Sequence, residues 1–195
     1  MFTRSRFLSA TLAFGAGLAA APLGSDANGA RPGPYCLPLR KGAADKIYDF
    51  ELEILDDTKI FSLEDHLGHP VWLNFYASWC PPCNKEMPDV VRIATKYAAS
   101  GLRVFGVDVE ESNDKARGFA KQYALPFPVL LDREGSVFKS FGFHYLPTHV
   151  FFGANGALTC VANADLDPNQ MDNEVAVAID RAPVATPSAD ATAAP

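Results

Sequence analysis

Two cysteines separated by two residues, Cys80 and Cys83, stand in the stretch FYASWCPPCNKEMP, residues 75–88. That spacing can clip a metal, staple the chain or run thiol–disulfide exchange. Exchange needs a thiolate that attacks a disulfide sulfur and a second thiol that resolves the mixed disulfide. On a helix, the CxxC spacing brings both sulfurs within bonding distance across one turn, so Cys80 can attack and Cys83 can resolve. Glu86 follows one turn later. Its carboxyl can exchange protons with the thiol pair if partly buried, or stand in solvent as an ordinary helix charge.

Positioning these residues requires a strand and a helix. VWLNFY, 71–76, is a nearly continuous apolar run, as expected of a strand buried on both faces. The segment from Cys80 to about Ser100 reads as a helix with Met87, Val90, Val91, Ala94 and Tyr97 on one face, stopped by Gly101. A first helical turn offers unpaired N–H groups and the positive end of the dipole, which stabilise a thiolate at Cys80. Cys83, one turn in, is expected to be more shielded. Pro81 and Pro82 suit a first turn and stiffen it, whereas Pro88 inside the helix is expected to remove a hydrogen bond and kink it.

The metal reading lacks ligands. Structural zinc sites pair a CxxC with a second ligand pair, but Cys36 and Cys160 are isolated, and His66, His69, His144 and His149 show no HxxxH spacing. We expect no metal and no cofactor. A purely structural CxxC bridge would constrain the unfolded chain little, because its loop is short.

Strand and helix patterns alternate along the chain. Phe50, Leu52 and Ile54 alternate with Glu51 and Glu53, Asp56–Asp57 forms a turn, and Lys59–Leu63 is the hairpin partner. LRVFGVDV, 102–109, is a second buried strand and Lys115–Tyr123 a short amphipathic helix. Phe127–Asp132, His149–Phe152 and Ala157–Ala162 read as strands, with a turn at Gly153–Gly156 and a closing helix at Pro168–Asp180. The pattern predicts an α/β fold: a central mixed sheet flanked by helices, with an N-terminal β-hairpin.

Arg4 and Arg6 precede the uncharged run Phe7–Ala21, and Ser25 and Ala27 occupy −3 and −1 positions for cleavage. Residues 1–27 therefore read as a signal peptide, or as an uncleaved membrane anchor. Both place the domain in a periplasmic or other extracytoplasmic space. Residues 28–45 read as a flexible leader, 46–181 as the folded domain and 182–195 as a disordered tail. The net charge of −6 over 195 residues argues against a nucleic-acid partner. There is no GxxxxGK[ST] or GxGxxG stretch and no internal repeat. Four cysteines in an exported chain suggest disulfides, with three possible pairings.

WCPPC after VWLNFYAS, followed by KEMP and, far downstream, by YLPT, resembles the thioredoxin superfamily, and more closely the exported TlpA/ResA-like thiol–disulfide oxidoreductases. The stretches DFELEILDDTKIFSLEDHLGHPV, RVFGVDVE and FPVLLDREGSVFKSFGFHYLPTHVFF extend the resemblance over residues 47–181. It implies a thioredoxin-like fold, with Pro147 as a cis-proline facing the CxxC. Leu146, Pro147 and Thr148 would contact the substrate, alongside Trp79, Pro81 and Pro82.

The sequence departs from the superfamily at several positions. Asn74 stands where thioredoxins carry a buried Asp; it cannot shuttle a proton, so the resemblance shifts the catalytic acid–base role to Glu86. No His lies between the cysteines, which favours a reductant, with a potential near or somewhat above the roughly −270 mV of thioredoxin. His149 follows Thr148 and is expected to pack on the core rather than catalyse.

Outside the motif, a Cys36–Cys160 disulfide would close a very long loop, worth up to about 4–5 kcal/mol in the chain-entropy model. The alternatives are two unrelated thiols, or Cys36 pairing between molecules.

The implied function is reduction of disulfides in exported client proteins such as apocytochrome c or copper-site proteins. The protein would work as a monomer re-reduced by a membrane thiol transporter, because the compartment is oxidising. A copper-carrying module is the alternative: thiolates with His144 or His149 suit Cu(I), but related carriers space their cysteines by three residues. A thiol peroxidase would need Thr or Ser where Ala77 stands. A pure binding module would not depend on Cys80.

Overall fold

The computed structural model describes residues 33–37 and 50–180. Residues 1–27, read above as a signal peptide or anchor, most of the expected leader and the expected tail 182–195 lie outside the described residues. Among the described residues no helix is long and apolar enough to cross a membrane.

The chain opens with β1 (Glu51–Ile54) and β2 (Ile60–Ser62), then β3 (Val71–Tyr76), α1 (Pro81–Tyr97), β4 (Arg103–Val109), α2 (Asn113–Gln122) and β5 (Val129–Asp132). After these come α3 (Ser136–Ser140), β6 (Thr148–Phe152), β7 (Leu158–Ala162) and α4 (Pro168–Asp180). The described strands form one sheet in the order β2-β1-β5-β4-β3-β6-β7. β3, β4 and β5 are parallel, and the pairs β1–β2, β1–β5, β3–β6 and β6–β7 are antiparallel.

Alternation decides the hairpin. Leu52 faces Phe61 in the core while Glu51 and Glu53 stay exposed. All six residues of β3 are buried, because helices cover both faces of the sheet there. One face carries Trp72, Tyr76 and Val104 under Met87, Val90 and Ile93 of α1, Phe119 of α2, and Met171 and Val175 of α4. The other face carries Leu73, Phe75, Phe105 and Val107 under Val137 and Phe138 of α3. Each fully buried Phe or Leu contributes about 1.5–3 kcal/mol.

α1 ends at Tyr97, and its last turn tightens to a 3₁₀ turn, Ala98–Ser100, closed by Gly101 at φ +82°. Gly106 faces Tyr76 so closely that an added Cβ would lie 2.9 Å from the ring. α3 was not expected from the sequence. Five residues cannot display a helical period, and the turn is held instead by Asp132, whose carboxylate accepts the N–H groups of Val137 and Phe138.

Candidate active site

Cys80 is the N-cap of α1, and its Sγ accepts the N–H of Cys83 at 3.3 Å. Pro81 and Pro82 fill the next positions, where a missing N–H costs nothing. Cys80 and Cys83 are joined by a disulfide, S–S 2.10 Å, with Cα atoms 5.3 Å apart. The preceding loop is fixed from two sides. Asn84 Nδ2 donates to Ser78 O and Cys80 O, and Ser78 donates through both N–H and Oγ to the carboxylate of Glu111. Cys80 is less open than a helix N-terminus alone suggests: it is 3% exposed and Cys83 0%. The disulfide turns both sulfurs inward, and it is Trp79, 63% exposed, that projects beside them.

β6 runs antiparallel to β3 with Phe75 opposite Thr148, so the turn before β6 meets the CxxC at one end of the sheet. The Leu146–Pro147 peptide in that turn is cis. Thr148 Oγ donates to Tyr145 O at 2.8 Å, and Asn163 Nδ2 donates to Tyr145 O and to Thr148. Leu146 packs against the cluster that contains both cysteines, leaving Tyr145 as a second exposed aromatic. Trp79, Pro81, Pro82, Leu146, Pro147 and Thr148 therefore gather at this end of the sheet.

Behind the cysteines, Glu86 is buried one turn after Cys83. Asn74 Nδ2 lies 3.3 Å from Oε1, while His149 Nε2 (3.3 Å) and Leu166 N (3.2 Å) meet Oε2. Across the parallel register from Tyr76 sits Asp108, also buried. Burial, reinforced by the neighbouring charge of Glu111, pushes its carboxyl up to about 8. Burial also raises Tyr76, whose hydroxyl has no hydrogen-bond partner among the described residues.

The family model for the AhpC/TSA family matches residues 43–161, well over half of the chain. The chain belongs to the AhpC/TSA family. This AhpC/TSA member is 37% identical over 108 residues to the thiol-disulfide oxidoreductase ResA of Bacillus thuringiensis subsp. konkukian, a match covering 55% of this chain and 62% of that relative. The chain thus spans less than two thirds of that relative's length.

Two crystal structures are similar. One is a secreted Mycobacterium tuberculosis disulfide oxidoreductase homologous to E. coli DsbE, 26% identical, with TM-score 0.60, covering 66% of this chain and 96% of that one. The other is a thiol:disulfide interchange protein of the thioredoxin family from Chlorobium tepidum, 26% identical, with TM-score 0.60, covering 67% and 93%. The fold is thioredoxin-like.

In this AhpC/TSA member Cys36 lies away from the CxxC, bonded to Cys160 (S–S 1.98 Å, 124 residues apart in sequence). The leader piece Gly33–Leu37 is held there by Leu37 N donating to Val161 O and by Glu174, which accepts from Gly33 N and Tyr35 OH. Burial, with the charge of Glu174, pushes the Tyr35 hydroxyl up to about 12. Sequence reading missed His149, Asp108 and Glu111 as neighbours of the site. The signal for His149 was present but indirect. Counting back along β3 from Cys80 and forward along β6 from Pro147 puts Asn74 opposite His149.

Proposed function

We propose that the protein is an exported thiol–disulfide oxidoreductase that reduces disulfides in client proteins. The observation that carries this reading is the CxxC pair itself, joined across the first turn of α1 with Cys80 as N-cap, beside the cis Leu146–Pro147 turn. The names of the relatives support it, since they are described as thiol-disulfide oxidoreductase and interchange proteins.

In the reduced protein, the Cys80 thiolate attacks one sulfur of a client disulfide. The Cys80–client bond forms, the client S–S bond breaks, and the released client thiolate takes up a proton. Cys83 then loses its proton to Glu86 and attacks Cys80 Sγ. The Cys80–Cys83 disulfide forms and the second client sulfur leaves as a thiol. Two electrons and two protons pass to the client. Trp79, Pro81, Pro82 and Leu146 form the surface on which the client lies; of the other expected contacts, Pro147 and Thr148 are buried, so their side chains shape the turn from below rather than meet the client.

Clients would be exported proteins whose cysteines must be reduced before they bind haem or copper, and a membrane thiol transporter would return the electrons. Export rests on the signal-like residues 1–27 and on the secreted relative. The test is trapping with a disulfide-bearing apocytochrome c peptide. Cys83→Ser should accumulate a covalent adduct through Cys80, and Cys80→Ser should lose all turnover. Full turnover by Cys80→Ser would overturn the reading.

A further inference from the structure

We infer that His149 is a positioning residue for Glu86, locked by Trp72 in the tautomer that carries its proton on Nε2. Trp72 Nε1 is a donor only, and it lies 3.3 Å from His149 Nδ1. Nδ1 must therefore accept, so it carries no hydrogen. Asn74 Nδ2, 3.2 Å from the same nitrogen, can share that single lone pair with Trp72. The ring proton is left on Nε2, which points at Glu86 Oε2 from 3.3 Å. His149 is fully buried, so no water competes for either nitrogen.

The consequence falls on Glu86. Oε2 receives two donors, His149 Nε2–H and Leu166 N–H, which occupy both of its lone pairs. Among the described residues, Oε1 receives only Asn74 Nδ2–H. Oε1 is thus the oxygen with room for a proton, and His149 keeps it so. Among the described residues, Glu86 is the ionisable group hydrogen-bonded to His149. β3 offers Trp72 and Asn74, β7 places Ala162 opposite, α1 presents Glu86 with Cys83 one turn away, and Glu174 of α4 is turned to Tyr35. The inference rests on the reading of Glu86 as acceptor of the Cys83 proton.

Tautomer and function are tested separately. In the ¹⁵N-labelled chain, long-range ¹H–¹⁵N spectra should show the His149 ring proton on Nε2 and a bare Nδ1. Trp72→Phe, which removes the donor to Nδ1, should let the ring proton divide between Nδ1 and Nε2. A wild-type ring protonated on Nδ1 would overturn the inference without any variant.

The kinetic test uses the chain reduced at Cys80 and Cys83 and mixed with dithiobis(nitrobenzoate) in a stopped-flow. It releases two thionitrobenzoate ions in sequence, the second when Cys83 attacks the mixed disulfide. Removing the His149 donor weakens the carboxylate form of Glu86. His149→Phe should therefore move the acid limb of the second phase up by about one pH unit, the usual worth of one hydrogen bond to a charge. His149→Gln, which can still donate, should move it less. If Glu86→Gln slows the second phase but His149→Phe leaves its midpoint in place, the inference fails and the proposed function stands. If Glu86→Gln leaves the second phase unchanged, the acid–base role of Glu86 itself fails.

Discussion

Glu86 and Asp108 are two buried carboxyls on the CxxC face of the sheet, and they differ in their neighbours. Glu86 receives three N–H groups, whereas Asp108 has a second carboxyl, Glu111, beside it. Glu86→Gln should slow the resolving step by about 100-fold, the lower end of general-base contributions, as measured by single-turnover release of client thiol. For Asp108 the consequence is stability. Its value in the folded protein, about 8, lies above the ordinary 3.8, so the folded state binds the proton more tightly than the unfolded chain. The cost of burying the Asp108 charge is absent below about pH 4 and grows as pH rises towards 8. Asp108→Asn should therefore raise Tm by several degrees at pH 8 and leave it nearly unchanged at pH 4. A gain that is equal at both pH values would contradict this. The CxxC residues and Pro147 were legible because their chemistry is local to short motifs. The Glu86–His149 contact was not, because it joins positions 63 residues apart through a strand register.

α1 shows where element-scale reading succeeds and where it stops. Its start at the CxxC and its end near Gly101 were legible from the proline pair and the αL glycine. Pro88 was expected to cost a hydrogen bond, and its missing N–H leaves the carbonyl of Asn84 without its helical donor. Tyr123, just past α2, meets that carbonyl: its hydroxyl lies 3.2 Å from Asn84 O and 2.9 Å from Asn84 Oδ1. The single proton of this hydroxyl is shared between the carbonyl freed by the proline and the side chain that holds Ser78 and Cys80, which is the nearer acceptor. No spacing within α1 could reveal a partner supplied by another element. Tyr123→Phe should destabilise the fold by about 1–2 kcal/mol, read as a lower urea midpoint at unchanged slope.

At the scale of the whole molecule, the sheet order brings the ends of β3 and β4 and the start of β6 to one edge, while the Cys36–Cys160 bridge ties the leader to β7 and α4. The alternating pattern of strands and helices was enough to predict a mixed sheet, since each buried run had to be covered on both faces. The docking of Gly33–Leu37 was not legible, because it depends on the buried Glu174 of α4 rather than on any pattern in the leader. Cys36→Ser should lower stability by up to about 4–5 kcal/mol in urea unfolding with the CxxC oxidised, since the bridge closes a 124-residue separation. The same variant should leave the rate of client reduction unchanged.

The Cys80–Cys83 pair is proposed to work as a reductant. The direct measurement is its reduction potential, by equilibration with glutathione or dithiothreitol and mass spectrometry of the alkylated Cys80–Cys83 peptide. A CxxC that works as a reductant should have a value at or below the roughly −200 to −230 mV of glutaredoxins. A value near about −120 mV, that of a strong disulfide-forming oxidant, would contradict it.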